Sequence, residues 1–265
     1  MPDATGPAAG LPFGVVDLQG ISADGRLTAG EVTYYSADLT SWFSRVAVFD
    51  WVTRRWSLGP YRAWALVRSL SADGRYLAYT SAKSAWDQRE LYLLDRTTGV
   101  TRHVGRGPAG KAARIWGSAL SGDGRLLFTT WNRDPSTYDY IVVVQRTSDL
   151  SVVESVSWNQ FIGADAVSYS GRWVLLSAGR SDGSGIADIY RWDRLTGQRF
   201  LVSVTRDGRP ATGDSYGVAI TDDGATSIFT SRAGDIVPGD IPDNGWSTSN
   251  LDVFAATTPT AHTCS

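Results

Sequence analysis

Short apolar stretches separated by polar turns fill most of the chain. In one representative stretch, an apolar run at Ala65–Leu70 is followed by the Asp73–Gly74 pair and then by a second apolar run at Tyr76–Thr80. Asp-Gly between two apolar runs is a strong signal for a β-hairpin. No longer stretch shows the 3.6-residue periodicity of an amphipathic helix. The pattern therefore predicts an all-β protein built from hairpins.

The hairpins recur as an internal repeat. Its clearest part is a small polar residue followed by Asp-Gly-Arg or a close variant, and its turn glycines are Gly25, Gly74, Gly124, Gly171 and Gly224, spaced 49, 50, 47 and 53 residues apart. A second motif, an apolar run that often ends in Asp, lies at Val46–Asp50, Leu91–Asp95, Ile141–Gln145, Ile189–Asp193 and Val253–Thr257. Each unit therefore holds four short strands, A to D, and five units cover nearly the whole chain.

The middle strands of the units are apolar at consecutive positions, as in Tyr140–Val144 and Trp173–Leu176. Consecutive apolar residues in a strand indicate burial on both faces of the sheet. A meander covered on both faces needs neighbours of its own kind, and radial stacking of four-stranded sheets supplies them. We expect a β-propeller of five four-stranded antiparallel blades around a central channel.

The predicted domain organisation is simple. Residues 1–12 are expected to be a flexible N-terminal tail, and residues 13–265 a single propeller domain with blades at about 13–60, 61–106, 107–156, 157–205 and 206–265. The last strand D would have to come from Thr260–Ser265. We expect a closed ring of five blades, and the alternative is that the five units belong to a longer ring.

These motifs resemble the TolB-type, WD-like β-propeller repeat. Unit five follows that repeat most closely, with Gly213–Tyr216, the Asp-Gly turn, Ile228–Ser231, Asp235–Asp240 and Asp252–Phe254 in order. The resemblance covers about residues 13–258. It implies a propeller fold and an extracytoplasmic or secreted location, although the first ten residues lack the basic and apolar regions of a signal peptide. It says little about activity, because such propellers serve as binding scaffolds, docking domains and appendages of enzymes.

Composition narrows the class of partner. The net charge is −2, so no basic footprint for nucleic acid is expected, and the apolar runs are too short to insert into a membrane. Nearly all basic residues are Arg, a bias typical of a high-GC bacterial genome. The lone Cys264 and two histidines give no ligand set for zinc or copper.

Aromatic residues gather in the loops of one rim. The A–B and C–D turns lie on one rim of a propeller, and the repetition of their Asp-Gly motifs indicates a structural duty. The B–C and D–A loops form the opposite rim and vary in sequence, as binding loops do. Candidate ligand-binding residues on that rim are Trp42, Trp86, Trp131, Tyr138, Trp246, Trp116 and Tyr216. Trp64, Trp158 and Phe161 lie on the same rim, and wedging between blades is the structural alternative for all of these aromatics.

Three further features are candidate sites of chemistry. Asp17, Asp165 and Asp214 are placed near the channel mouth, where paired carboxylates would suit a glycosidase. The loop Ser231–Asn250 carries Asp235, Asp240, Asp243 and Asn244, oxygen ligands that could hold Ca²⁺ but that lack the spacing of a dedicated calcium loop. Gly179–Gly183 fits the Gly-x-Ser-x-Gly pattern of serine hydrolases, yet Ser181 falls in a hairpin loop with no helix after it.

The sequence favours a non-catalytic binding or scaffold protein that recognises a protein, peptide or glycan through the rim of B–C and D–A loops. Two alternatives stay open: a carbohydrate-active enzyme using channel-mouth carboxylates, and a structural repeat protein with no small-molecule ligand. No catalytic residue and no cofactor other than Ca²⁺ is predicted. The carboxylates separate these hypotheses, because an enzyme needs them around one pocket and a scaffold would bond them to its own blades.

Overall fold

A computed structural model describes residues 13–35, 42–60, 64–82, 89–104, 114–134, 139–158, 161–238 and 251–257. These residues form five antiparallel sheets, each a meander of neighbouring strands. The sheets follow one another around a common axis as the blades of a five-bladed β-propeller, which confirms the predicted fold class. Within the described ranges, no helix is long and apolar enough to cross a membrane.

The strands run in chain order from the axis outward. Blade 1 contains β1 (Phe13–Ile21), β2 (Leu27–Tyr35), β3 (Trp42–Asp50) and β4 (Arg55–Leu58). Blade 2 contains β5 (Leu66–Leu70), β6 (Tyr76–Ser81), β7 (Glu90–Asp95) and β8 (Val100–His103). Blade 3 contains β9 (Arg114–Leu120), β10 (Leu126–Asp134), β11 (Asp139–Arg146) and β12 (Val152–Trp158). Blade 4 contains β13 (Ile162–Val167), β14 (Trp173–Gly179), β15 (Ala187–Asp193) and β16 (Arg199–Leu201).

Blade 5 contains β17 (Ser215–Ile220), β18 (Thr226–Ser231) and β19 (Asp252–Thr257). These are the strands A, B and C of the fifth repeat. The fourth strand expected from Thr260–Ser265 lies outside the described residues.

The Asp-Gly-Arg motif builds the A–B turn of blades 1 to 3 by local hydrogen bonds, and close variants of it build the A–B turns of blades 4 and 5. In blade 1, Ser22 Oγ donates to Asp24 Oδ1 at 2.6 Å and the Arg26 amide donates to the same oxygen at 3.0 Å. Gly25 takes a φ of 70°, a left-handed conformation that favours glycine. The Arg26 guanidinium then binds Asp50 at the end of strand C, with its closest contact at 2.7 Å. The motif therefore joins strands A, B and C at one rim.

Successive A–B turns are also joined to one another. Ala23 N donates to Ala72 O at 2.8 Å, Ala72 N donates to Gly122 O at 2.9 Å, and Asp123 N donates to Tyr169 O at 2.9 Å. The link from blade 4 to blade 5 uses a side chain instead, because the Ser170 amide donates to Asp222 Oδ1 at 2.7 Å. These bonds form a chain that fixes the spacing of the blades at this rim.

The core lies in the layers between blades. Each sheet has a forward face, which points to the next blade in chain order, and a back face, which points to the preceding one. Val46 and Val48 on the forward face of blade 1 pack with Leu77 and Tyr79 on the back face of blade 2. The same arrangement recurs between blades 2 and 3, 3 and 4, and 4 and 5. This two-sided burial explains the consecutive apolar residues in the middle strands.

Candidate functional site

The innermost strand of every blade contains a break in its pairing register. The shifts fall after Leu18, Val67, Ala164 and Gly217, and in blade 3 after Ile115. A bulge of this kind bends the strand and turns one side chain out of the regular alternation. The bulged residues are Gln19, Arg68, Trp116, Asp165 and Val218. We call them the bulge ring.

The bulge ring differs in chemistry from blade to blade. The five bulges carry an amide, a guanidinium, an indole, a carboxyl and an isopropyl group, whereas the turn motifs of the A–B rim repeat. Trp116 is 48% exposed and Val218 53% exposed, while Asp165 is largely buried. The repeated turns have a structural role, whereas side chains that differ from one bulge to the next are typical of a recognition surface.

An aromatic cluster surrounds the bulge of blade 3. Trp116 meets Tyr140 at 5.7 Å and Phe161 at 6.1 Å between ring centroids, and Tyr140 meets Phe161 at 5.1 Å. All three contacts are edge-to-face, a favoured geometry for aromatic pairs. Tyr140 is buried, so it anchors the half-exposed Trp116. The cluster lies at the starts of strands A and C, which is the rim of the B–C and D–A loops.

The structure separates the other aromatic candidates. Trp131 is 4% exposed, and its Nε1 donates to Thr129 Oγ1 at 2.8 Å, so this side chain belongs to the core between blades 2 and 3. Tyr216 is 39% exposed but lies on the forward face of blade 5, opposite Thr230. Trp86, Tyr138 and Trp246 lie outside the described residues, and so does the side chain of Trp42 in β3.

A buried carboxyl group links blades 4 and 5 next to the axis. Asp165 Oδ2 accepts a hydrogen bond from the Gly217 amide at 2.8 Å and another from Ser177 Oγ. Both donors are neutral. Desolvation outweighs the two hydrogen bonds and raises the pKa of Asp165 to about 6. A perturbed acid can mark a functional site, but the contacts of Asp165 also give it a clear packing role.

The described carboxylates of the predicted channel-mouth set are bonded to the blades. Asp214 Oδ1 accepts the Ala187 amide at 2.9 Å, and Asp165 accepts the Gly217 amide. Asp17 lies in β1, and its side chain is outside the described set. Both carboxylates also help to raise the pKa of Tyr216, after the larger effect of desolvation. The carboxylate-based enzyme stays an alternative prediction.

A cationic group lies by the bulge of blade 2. Desolvation and the neighbouring Arg89 lower the pKa of Arg68, while Glu31 raises it. Arg89 is held in place by a 2.8 Å hydrogen bond from its Nη1 to Trp64 O. Trp64 has a φ of 55°, an uncommon conformation for a bulky residue. Glu31 in turn accepts the Val67 amide at 2.8 Å, which ties this group to the inner strand.

The calcium prediction is only partly within the described chain. Asp235 Oδ1 accepts the Thr212 amide at 3.1 Å beside a cleft of about 490 Å³ that Arg206 and Arg209 also line. Asp240, Asp243 and Asn244 lie outside the described residues. Among the residues that are described, no group of three His, Cys, Asp or Glu side chains is placed to hold a metal ion. The calcium site stays a prediction.

The Gly-x-Ser-x-Gly segment lies in the loop between β14 and β15. Ser181 is in the turn, and β15 follows directly at Ala187, so the strand–turn–helix geometry of a nucleophile elbow is not formed. His103 lies on β8 in another blade, with Nε2 3.6 Å from Glu90 and its ring 5.2 Å from that of Tyr92. The expectation that this motif is structural agrees with both positions.

Sequence reasoning missed most of the bulge ring. Gln19, Arg68, Asp165 and Val218 each lie six residues before the A–B turn glycine of their unit, whereas Trp116 lies eight before Gly124. A fixed offset from the repeated glycine would have identified four of them. The sequence indicates Trp116 only as an aromatic residue near the channel mouth. Its position in a bulge follows from the pairing of β9 with β10.

Comparison with known proteins supports the fold and does not identify a function. No protein-family model and no curated protein matches the chain. The β-propeller domain of the Trilobed protease from Pyrococcus furiosus matches with a TM-score of 0.63 at 13% identity, over 94% of this chain and 70% of that one. An oligogalacturonate lyase from Vibrio parahaemolyticus matches with a TM-score of 0.62 at 12% identity, over 93% of this chain and 66% of that one.

TolB from Acinetobacter baumannii matches with a TM-score of 0.51 at 16% identity, over 84% of this chain. The chain spans about half of that TolB chain, 52% of its length. At such identities the likeness shows the fold alone, and the three neighbours differ in what they do. The chain is a β-propeller, with TolB and propellers of a protease and of a lyase among its structural neighbours.

Proposed function

We propose that the protein is a non-catalytic binding propeller that recognises a protein, peptide or glycan ligand through the rim of B–C and D–A loops. The observation that carries the proposal is the exposure of Trp116. A Trp that is 48% exposed yet held edge-on by two other rings has little side-chain freedom left to lose on binding. Rigid, partly exposed Trp residues are typical centres of binding energy.

The bulge ring supports the same function. A ligand that follows the inner strands from this rim would meet the indole of Trp116 and, nearer the A–B turns, the guanidinium of Arg68 and the amide of Gln19. Such variety suits a ligand with several different groups along its length, as an extended peptide or an oligosaccharide has. The structural neighbours are consistent with this proposal only in fold.

Peptide and glycan arrays, followed by calorimetry of the best ligand, test the proposal. Trp116→Ala is expected to weaken binding by about 30-fold, the effect of losing roughly 2 kcal/mol at the centre of an interface. Trp51→Ala is the matched control. Trp51 is 45% exposed and also contacts a ring edge-on, Phe49 at 4.9 Å, but it follows strand C on the opposite rim. Its replacement should leave affinity within about twofold.

Two results would contradict the proposal. One is the absence of any peptide or glycan hit with folded wild-type protein. The other is an equal loss of affinity in Trp51→Ala and Trp116→Ala, which would place the ligand elsewhere or indicate a general loss of structure. The melting temperature of each variant separates these last two readings.

A further inference from the structure

Two arginine side chains approach each other on the inner wall of blade 2. Arg68 is the bulged residue of β5, the innermost strand of that blade. Arg89 directly precedes β7, and its Nη1 donates to Trp64 O at 2.8 Å, which holds its guanidinium beside the start of β5. After desolvation, the charge of Arg89 is the next effect that lowers the pKa of Arg68, so the two guanidinium groups lie close together. We call Arg68 and Arg89 the arginine pair.

The neighbours of Arg68 in β5 show where its side chain points. Val67 packs in the layer shared with blade 1, and Ser69 Oγ accepts the Leu120 amide of blade 3 at 3.0 Å. Because the residues on either side face the two neighbouring blades, the bulged Arg68 between them faces the central channel. Arg68 is exposed to water, yet desolvation is the largest effect on its pKa. A side chain that is both accessible and desolvated lies in a concave part of the protein, as the wall of a channel is.

The arginine pair differs from the arginines that stabilise the blades. Arg26, for example, binds Asp50 at 2.7 Å, and this hydrogen-bonded pairing raises its pKa. Desolvation instead lowers the pKa of both members of the arginine pair, and among the described residues neither of them forms an ion pair with a carboxylate. Desolvation of a cation without such a partner is unfavourable, and a bound anion would offset it. The arginine pair therefore has the chemistry of an anion site.

Glu31 on blade 1 limits the charge that this site can accept. Its Oε1 accepts the Val67 amide at 2.8 Å, and its charge opposes the desolvation that lowers the pKa of both arginines. The described groups of the cluster are thus two guanidinium groups and one carboxylate, which leaves one positive charge in excess. A monoanion would neutralise this excess, whereas a dianion such as phosphate would reverse it. A carboxylate is the monoanion that fits a planar guanidinium through two parallel hydrogen bonds.

We propose that Arg68 and Arg89 form a binding site for a carboxylate group of the ligand, reached from the rim of B–C and D–A loops. The inference rests on the proposed function and names a chemical group that the ligand carries. The bond between Ser69 and Leu120 aligns the inner strands of blades 2 and 3, which places Arg68 three residues, or roughly 10 Å along the channel, from Trp116. A ligand that reaches both would contact Trp116 at the rim and present its carboxylate deeper in the channel.

Potassium acetate is the probe for this site, because its anion is a carboxylate with only a methyl group attached. It is titrated into the full chain at constant ionic strength, in exchange for potassium chloride, while the Nε–Hε NMR signals of the arginines are recorded. We expect the Arg68 signal to shift and saturate with a dissociation constant on the order of 10 mM, the affinity of a few charge-assisted hydrogen bonds at a site open to water. Phosphate and sulfate at the same ionic strength should bind more weakly than acetate.

Two substitutions should change acetate binding in opposite directions. Arg68→Gln, followed at the Arg89 signal, should weaken it at least about tenfold, because one of the two cations is lost. Glu31→Gln keeps an acceptor for the Val67 amide but removes the competing negative charge, so it should tighten acetate binding about threefold. Arg125→Gln is the matched control, since the Arg125 side chain is 85% exposed at the A–B turn of blade 3. It should bind acetate like wild type.

Three outcomes would overturn the assignment of a carboxylate site. These are an Arg68 signal that does not saturate up to about 100 mM acetate, tighter binding of phosphate or sulfate than of acetate, and equal weakening in Arg68→Gln and Arg125→Gln.

Failure of this site can be told apart from failure of the proposed function. An array ligand that loses affinity in Trp116→Ala but keeps it in Arg68→Gln would support the binding rim and overturn the arginine site. Saturable acetate binding at Arg68 without any array ligand would support the arginine site and overturn the proposed function.

Discussion

The buried carboxyl group of Asp165 makes the stability of the fold depend on pH, and the direction of that dependence follows from its pKa. Its pKa of about 6 in the folded protein exceeds the ordinary value of 3.8, which applies in the unfolded chain. Between these values the folded state binds the proton more tightly than the unfolded state does. Protonated Asp165 therefore stabilises the folded state fully below about pH 4, and this stabilisation is lost as the pH rises through 6.

The magnitude follows from the difference between the two pKa values. About two pKa units correspond to about 3 kcal/mol in the free energy of unfolding. Asp165→Asn removes the ionisation and keeps both hydrogen bonds, since Gly217 N and Ser177 Oγ both donate to Oδ2 and an amide oxygen at that position can accept from both. We expect the variant to match wild type near pH 4.5 and to exceed its stability by about 2 to 3 kcal/mol at pH 7.5.

Urea titrations at pH 4.5, 6.0 and 7.5 measure this difference. Asp222→Asn is the matched control, because Asp222 joins the same two blades by accepting the Ser170 amide and hydroxyl at 2.7 Å each. These hydrogen bonds lower the pKa of Asp222, so its stabilisation is constant above pH 4.5 and the control should shift all three measurements alike. A wild-type pH slope that survives in Asp165→Asn would refute the reasoning, as would a variant less stable than wild type at pH 7.5.

Two further comparisons use equivalent positions of the repeat. Val142→Ala should lower the free energy of unfolding by about 2 kcal/mol or more, since Val142 is 0% exposed. Val253 occupies the equivalent position of blade 5 but is 69% exposed, so Val253→Ala should lower it by less than about 0.5 kcal/mol in dilute urea titrations. Similar losses for the two variants would show that the forward face of blade 5 is covered. Gly224→Ala should lower stability by about 3 kcal/mol and Gly25→Ala by about 1 kcal/mol. Both glycines have a φ of 70°, but only at Gly224 would the added Cβ meet a ring, that of Trp173 at 2.4 Å. Equal thermal shifts for the two variants would contradict that assignment.

The candidate site was predicted unevenly, for a physical reason. Aromatic residues near strand starts can be found in the sequence, and Trp116 was found in this way. The exposure of an aromatic side chain cannot be predicted in this way, because it depends on which neighbouring blade covers each face. Trp131 lies within β10 and packs in the layer between blades 2 and 3, while Trp116 is turned outward by a bulge.

The carboxylates illustrate the same limit. The sequence groups Asp165 and Asp214 because both come shortly before the turn that ends their strand A. Their chemistry is set by partners distant along the chain: Gly217 lies 52 residues after Asp165, and Ala187 lies 27 residues before Asp214. Only the packing of blade 4 against blade 5 brings these groups together and desolvates the first of them.

The sequence by itself determined the class of fold and the number of units. Five glycine turns at nearly constant spacing, four of them Asp-Gly and each between apolar strands, specify five meanders by local hydrogen bonds and hydrophobic patterning alone. Those forces act within a few residues or between adjacent strands, so they are visible in one dimension. Which faces are covered, which side chain each bulge exposes and how strongly Asp165 holds its proton depend on contacts between blades about fifty residues apart. These features were decided by the tertiary structure, because burial is a property of the assembled layers and not of any single strand.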